Sequence, residues 1–229
     1  YNNFTMKLPD VMVPVNASEY AFMNQKKRRK ATIITIPHGV DVNLFKPLKK
    51  KSKLLRVGYV GRLAPIKYPE VALRIFKNAT QGIKNTEFWW IGPLDHSYPL
   101  NYFETLKQQV GVTHAQYFDR VDNEQLPVLL NQLDIFLQVE QQKNVSRSTT
   151  EAAACGLPVV GLNIGKEAYG LFSRDEGEVT THLTKLLNSK QLREEEGKRN
   201  REIIVQHFSE ESIYDTYISL FETISHEKK

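Results

Sequence analysis

"LLRVGYVGRLAPIKYPEVALRIFKNA", residues 54–79, is the stretch on which the fold turns. Its opening, "LLRVGYVG" (54–61), is an apolar run of strand length. Its end, "YPEVALRIFKNA" (68–79), reads as a helix, with Pro69 suited to the first helical turn. A strand that passes through a short loop into a helix is the first half of a βαβ unit. The same alternation continues downstream. "TEFWWIG" (86–92), "AQYFD" (115–119), "DIFLQV" (134–139) and "PVVGL" (158–162) read as strands. "NYFETLKQQVG" (101–111), "NEQLPVLLNQ" (123–132) and Thr149 to Cys155 read as the helices between them. From Glu178 the chain is nearly all helix, in three segments ending at "SEESIYDTYISLFETI" (209–224). Strands alternating with helices predict an α/β fold, a Rossmann-like parallel sheet with helices on both faces.

Upstream, "DVMVPV" (10–15) reads as a strand, "SEYAFMNQKKRRK" (18–30) as a helix capped near Ser18, and "ATIITIP" (31–37) as a β-branched strand. "HGVDVNLFKPLKKKSK" (38–53) is polar and punctuated by Gly and Pro, which makes it the expected domain boundary.

The totals exclude several classes. A length of 229 residues allows one full core, or one domain with pieces of another. With 41% hydrophobic and 25% charged residues the chain is neither disordered nor fibrous. No apolar run approaches the ~20 residues of a membrane span, and no signal-peptide pattern opens the sequence, so a cytoplasmic protein is expected. The one cysteine, Cys155, excludes a disulfide framework and a cysteine-based zinc site. It reads as a small buried residue. The net charge of +5 is concentrated in "NQKKRRK" (24–30) and "KPLKKKSK" (46–53). Such runs are solvated surface, or they attract phosphates of nucleic acid or of an anionic membrane.

Parallel sheets bind ligands outside the carboxyl ends of their strands. There, Gly58 and Gly61 permit close backbone approach, and Arg62 and Lys67 lie on the loop before a helix N-terminus. Two cations beside a helix dipole suit a diphosphate. Gly92 and Pro93 close the next strand. The loop after Phe118 can offer backbone groups to a flat base, with Arg120 beside it.

"SRSTTEAAACGLPVVGLNIG" (146–165) sets Glu151 in a run of small residues ending at Gly156 and Pro158, where a helix must stop. Ser148-x-x-Glu151 fits a capping box, in which Glu151 bonds back to the backbone. The other reading puts the helix N-terminus at the same crevice as Arg62 and Lys67. There Glu151 accepts from a ribose diol, as acidic residues do in dinucleotide-binding folds, and the small residues let a ligand lie close.

In order and spacing, "IPHGVDVNLFKP", "VGYVGRLAPIKYPEVALRIF" and "TTEAAACGLPVVG" resemble successive motifs of the family-four retaining glycosyltransferases, from about residue 10 to the C-terminus. The resemblance implies the two-domain GT-B fold. Residues 1–37 would be the tail end of an N-terminal acceptor domain and 38–53 the interdomain linker. Residues 54–208 would bind a nucleoside diphosphate sugar, and 209–229 would form a helix returning to the first domain. It further implies that Arg62 and Lys67 hold the diphosphate and act as the catalytic cations. Gly61 would allow close approach, the loop Phe118, Arg120 and Val121 would flank the base, and Glu151 would bind the ribose. Lys143, Asn144, Val145 and Ser146 would lie beside the donor sugar or phosphate.

One departure concerns Lys143, which stands where the family carries the first glutamate of a Glu-x7-Glu pattern ending at Glu151. The other is that, by the resemblance, most of an N-terminal domain with its acceptor site would be absent, so the chain is expected to be either a fragment of a longer protein or a short form that recruits its acceptor half elsewhere. His38, in the linker motif, is expected to be structural or exposed. The reaction implied is hexosyl transfer from a nucleoside diphosphate sugar to a hydroxyl of a glycan, lipid or protein, with retention. Neither a cofactor nor a metal is expected, since no Asp-x-Asp or histidine cluster appears. The alternative is a nucleotide-binding module of this fold without transferase activity. Nucleic acid is not an expected partner, because the basic runs lack interleaved aromatics. The helix at 18–30, with Tyr20, Phe22 and Met23, is the segment expected to make any peripheral contact with an anionic membrane.

Overall fold

The computed structural model describes residues 10–26, 31–49, 53–139, 146–162 and 168–227. The chain divides into two compact units, Val42–Val205 and a smaller one made of Tyr1–Asp41 with Gln206–Lys229.

The larger unit is built on a six-stranded, all-parallel sheet. Its strands are β3 (Leu55–Val60), β4 (Thr86–Ile91), β5 (Ala115–Phe118), β6 (Ile135–Gln138), β7 (Val159–Leu162) and β8 (Leu171–Ser173). They lie side by side in the order β5-β4-β3-β6-β7-β8. Successive strands run outward from β3 on one side and from β6 on the other. The chain therefore reverses direction across the sheet between these two neighbours. This is the doubly wound arrangement of Rossmann-like domains.

Alternation along the strands assigns the faces. Val57 and Tyr59 of β3, Phe88 and Trp90 of β4, and Ile135, Leu137 and Val139 at β6 join one buried cluster with α2 (Pro69–Ala79), α3 (Tyr102–Val110) and α6 (Glu176–Asn188). Helix α2 shows why it sits there. Val71, Ala72, Leu73, Ile75, Phe76 and Ala79 form one apolar stripe, and all are buried. Each large member contributes about 1.5–3 kcal/mol by leaving water. On the other face lie α4 (Leu126–Leu130) and α5 (Arg147–Ala154), the latter packed on β6 and β7. Gly161 makes that side of the sheet tight: a Cβ there would fall 2.1 Å from the Gln138 carbonyl oxygen. The predicted alternation is thus present, with one strand more than the sequence reading placed, β8, whose three residues are all half-buried.

Part of the predicted linker is bound to this unit. Arg201, on α7 (Lys190–His207), donates to the carbonyls of Val42 at 2.9 Å, Phe45 at 2.6 Å and Ala154 at 2.7 Å. The Asn131 side chain accepts the Leu48 N–H at 2.6 Å and donates to Lys46 O at 3.0 Å.

The smaller unit has two parallel strands, β1 (Val11–Met12) and β2 (Thr32–Ile33), with α1 (Ala17–Lys26) and α8 (Glu210–Glu227). Both strands are shorter than the runs that predicted them. Asn16 caps α1 by accepting the Glu19 N–H at 2.8 Å, so the cap is two residues upstream of Ser18. On α8, Ile213, Tyr217, Leu220 and Ile224 recur at helical spacing and pack with Val11, Val13, Ile34 and Ile36. Among the described residues no helix is long and apolar enough to cross a membrane.

Candidate functional site

The reversal between β3 and β6 opens a crevice at the carboxyl ends of those strands, the position where such sheets hold ligands. Three segments meet there. β3 ends at Val60 and is followed by Gly61 and Arg62; β6 ends at Gln138; and α5 begins at Arg147 with Ser146 as its N-cap. The Ser148 hydroxyl donates to Val60 O at 2.8 Å. That bond seats the start of α5 against the end of β3.

The loops after β3, β4 and β5 are stitched into one layer. Gly61 N–H donates to Ile91 O at 2.9 Å, Gly92 N–H to Phe118 O at 2.8 Å, Leu63 N–H to Pro93 O at 2.8 Å and Asp95 N–H to Leu63 O at 3.1 Å. The indole N–H of fully buried Trp90 donates to Gly61 O at 3.0 Å. Gly92 has φ +138°, and a Cβ there would lie 2.4 Å from Gly61 O. Only glycine fits this crossing of two backbones.

Arg62 is exposed and reaches Asp95 at 3.5 Å. The Ser97 backbone N–H, the Ser97 hydroxyl and Arg62 hold the Asp95 carboxyl below the usual carboxylate range. Lys67 ends a short 3-10 turn, Pro65–Lys67, which Tyr68 closes in the left-handed conformation (φ 51°) before α2 begins. A non-glycine residue held there is strained, and such strain gathers at functional loops.

At α5 the structure corrects the capping-box reading. Ser146, not Ser148, is the N-cap, which leaves Glu151 in the second turn. Glu151 is buried, 5% exposed, and its Oε1 accepts from Arg147 Nε at 3.1 Å. Burial pushes its carboxyl above the ordinary range, and the Arg147 charge opposes that shift. A second correction concerns the small residues. Ala152, Ala153 and Ala154 are fully buried, so the close approach they permit is that of the helix to its own sheet. Burial also pushes the Cys155 thiol up to about 12, as befits a small core residue.

The family described as Glycosyl transferases group 1 matches residues 41–203, which include every segment of this crevice. The chain belongs to that family. No curated protein matches this group 1 glycosyl transferase sequence. Solved structures share its fold at low identity. Sucrose-phosphate synthase from Thermosynechococcus elongatus superposes with a TM-score of 0.81 at 19% identity, over 98% of this chain and 61% of that one. Anabaena Alr3699/HepE, solved in complex with UDP and glucose, gives 0.78 at 14% identity, over 97% and 68%. The C-terminal domain of the Francisella tularensis group 1 protein LpcC gives 0.64 at 17%, over 75% of this chain and all of that one. The chain thus spans about three fifths of the length of the synthase.

Within this group 1 glycosyl transferase the predicted residues fall into three sets. Gly61, Arg62, Ser146 and Glu151 lie on segments that converge on the crevice, with Lys67 further along the chain after β3. Phe118 packs its half-buried ring on Trp89 at 4.6 Å between centroids, so its side chain belongs partly to the core. Exposed Arg120 donates its N–H to Asp119 Oδ1 at 2.7 Å, and Val121 follows half-buried. Lys143, Asn144 and Val145 lie outside the described residues. His38 is exposed and belongs to the smaller unit. Among the described residues no group of three or more His, Cys, Asp or Glu gathers as metal ligands would.

The sequence reading missed Gln138, Trp90 and Asp95, and took Ser148 for a helix cap where its hydroxyl binds Val60 O. One signal was available for Gln138. It is a polar residue inside the apolar strand "DIFLQV", where a buried amide must find partners. It finds them at α5. The Gln138 side-chain oxygen accepts from the Thr149 hydroxyl, and from Ser146 N–H at 3.5 Å.

Proposed function

We propose that this chain carries the donor-binding half of a retaining, family-four-type glycosyltransferase. In this reading a nucleoside diphosphate sugar lies across the β3–β6 crevice. Arg62 and Lys67 neutralise the diphosphate together with the first N–H groups of α5. Glu151 accepts from the ribose hydroxyls, and the Phe118–Val121 loop flanks the base. Residues 1–37 would close a preceding acceptor domain, and α8 would return to it.

The observation that carries the reading is the state of the α5 N-terminus. Ser146 makes no side-chain capping bond to the helix. Its hydroxyl instead contacts Ser148 Oγ at 3.0 Å and Thr149 Oγ1 at 2.8 Å. Ser148 in turn fixes the helix start to Val60 O, two residues before Arg62. A helix start whose N-cap makes no side-chain capping bond, tied to the strand that leads into Arg62, suits an anion. The UDP and glucose in the Anabaena relative support a nucleotide-sugar ligand for this chain.

In the chemistry proposed, the bond between the sugar's anomeric carbon and the diphosphate oxygen breaks, and its electron pair passes to that oxygen. An acceptor hydroxyl adds to the same face and gives its proton to the leaving phosphate. The cations and helix N–H groups act by matching charge that grows on the diphosphate as the bond breaks. Neither a cofactor nor a metal takes part in this reading.

Lys143 favours a second reading. With lysine eight residues before Glu151, the site binds the nucleotide and does not turn over. Calorimetric titration with UDP, GDP and ADP tests the first claim, alongside Arg62→Ala and Glu151→Ala. Saturable binding of one nucleotide, weakened by both changes, is expected. Failure of the folded chain to bind any of the three refutes it. A full-length protein that binds a nucleoside diphosphate sugar and releases no product selects the second reading.

A further inference from the structure

The crevice rests on a group that no direct ligand role requires. Gln138 is fully buried at the end of β6, directly opposite Gly161 in the sheet register. Its side-chain oxygen accepts from the hydroxyl of Thr149, also fully buried, and from the Ser146 N–H. Counting protons fixes the direction of the cluster, because each hydroxyl donates once. Ser148 gives its proton to Val60 O, and Thr149 gives its proton to Gln138. Ser146, 3.0 and 2.8 Å from those two oxygens, donates its own proton to one of them. The Ser146 proton therefore ends on one of its two neighbours, and those two pass their own protons outward to two terminal acceptors. One acceptor is the backbone carbonyl that ends β3. The other is the side chain that ends β6. These are the two strands between which the sheet reverses.

We infer that Gln138 is a positioning residue for donor binding. It consumes the Thr149 proton, so the Ser146 hydroxyl is turned sideways into the cluster and away from the helix N–H groups. It also fixes where those N–H groups point. Gly161 belongs to the same device, since only a glycine lets β7 pass the Gln138 carbonyl at 2.1 Å from where a Cβ would stand. The inference rests on the donor-site reading given above.

The test separates positioning from folding. Gln138→Met leaves the buried Thr149 hydroxyl without its acceptor and lowers stability, because an orphaned buried donor is costly. Adding Thr149→Val removes that donor, since replacing both partners by apolar groups of similar shape is nearly neutral. The double variant is expected to melt within a few degrees of wild type yet bind UDP about fivefold to tenfold more weakly, the worth of one hydrogen bond. If GDP or ADP proves to be the nucleotide bound, the same comparison uses it. A double variant with wild-type affinity overturns the positioning role while the donor site stands. Wild-type protein that binds none of the three nucleotides overturns the donor-site reading, and this inference with it. A double variant that stays as unstable as the single one shows that the two side chains do not act as a pair, and also overturns it.

Discussion

Replacing Gly92 by alanine tests the stitched loop layer most directly. The new Cβ would lie 2.4 Å from Gly61 O and 2.8 Å from Gly61 C. Both are backbone atoms, so no side-chain rotation relieves the clash. Gly61 has little room to yield, because its N–H is bonded to Ile91 O and its carbonyl to the Trp90 indole. The φ of +138° adds about 1–3 kcal/mol of conformational strain for a residue with a side chain. Overpacking adds about 1–3 kcal/mol, and the stiffer unfolded chain returns about 0.4–1 kcal/mol. The net loss is about 3 kcal/mol, or roughly 6–12 °C in Tm for a chain of this size. Gly82→Ala is the control, since it shares a positive φ (+78°) but has no atom within 4 Å of its Cβ. It should lose only about 1 kcal/mol. Urea unfolding of both variants, with m unchanged, supplies the comparison. Equal losses at the two glycines would refute the argument, because the contact with Gly61 would then be worth nothing. UDP affinity should fall in Gly92→Ala alone, since Arg62 follows Gly61.

Three further outcomes are expected. Folded Glu151 binds its proton more tightly than the unfolded chain, so it destabilises progressively as pH rises from about 4 through its raised value; Glu151→Gln should remove that part of the slope in urea titrations across pH while weakening nucleotide binding. Cys155, 3% exposed with its thiol pushed up to about 12, should react with a thiol reagent at neutral pH only as fast as the protein opens, and at once in denaturant. Arg201→Met should cost about 3 kcal/mol or more in urea unfolding, because three carbonyls lose one donor, whereas an ordinary exposed substitution stays within about 0.5 kcal/mol.

The large-scale order was legible because it depends on periodicity and punctuation. Apolar runs separated by amphipathic segments placed β3 to β7 and the helices between them, and Pro69 marked the start of α2. The placement of candidate residues was legible where it follows from the local chain: Gly61 and Arg62 come directly after a strand and Glu151 lies on a helix. It was not legible where geometry joins distant residues. Ser148-x-x-Glu151 is a sound local capping pattern, but three hydroxyls and Gln138 pull the helix start back to Ser146, and no local rule sees that bond. Likewise, three consecutive alanines look like room for a ligand until the sheet beneath them fills it. β8 was missed because its three residues are only half-buried and carry no long apolar run. The short ladder of the smaller unit has another cause. Beyond Met12 and Ile33 the strands still exchange Ile34 N–H to Met12 O and Ile36 N–H to Pro14 O, but Pro14 has no N–H to return.

The three carbonyls gathered by Arg201 bear on how this domain can be moved between proteins. By sequence the segment before Leu55 looks like a tether, something that can be cut or exchanged without loss. By hydrogen bonding, Val42 and Phe45 share one guanidinium with the last turn of α5. A chimera spliced at residue 54 would discard two of that arginine's acceptors and loosen the far end of the helix whose near end carries the crevice. The transferable cassette therefore begins at Val42, so recombination that preserves the fold should favour crossovers upstream of it and be depleted between 42 and 54.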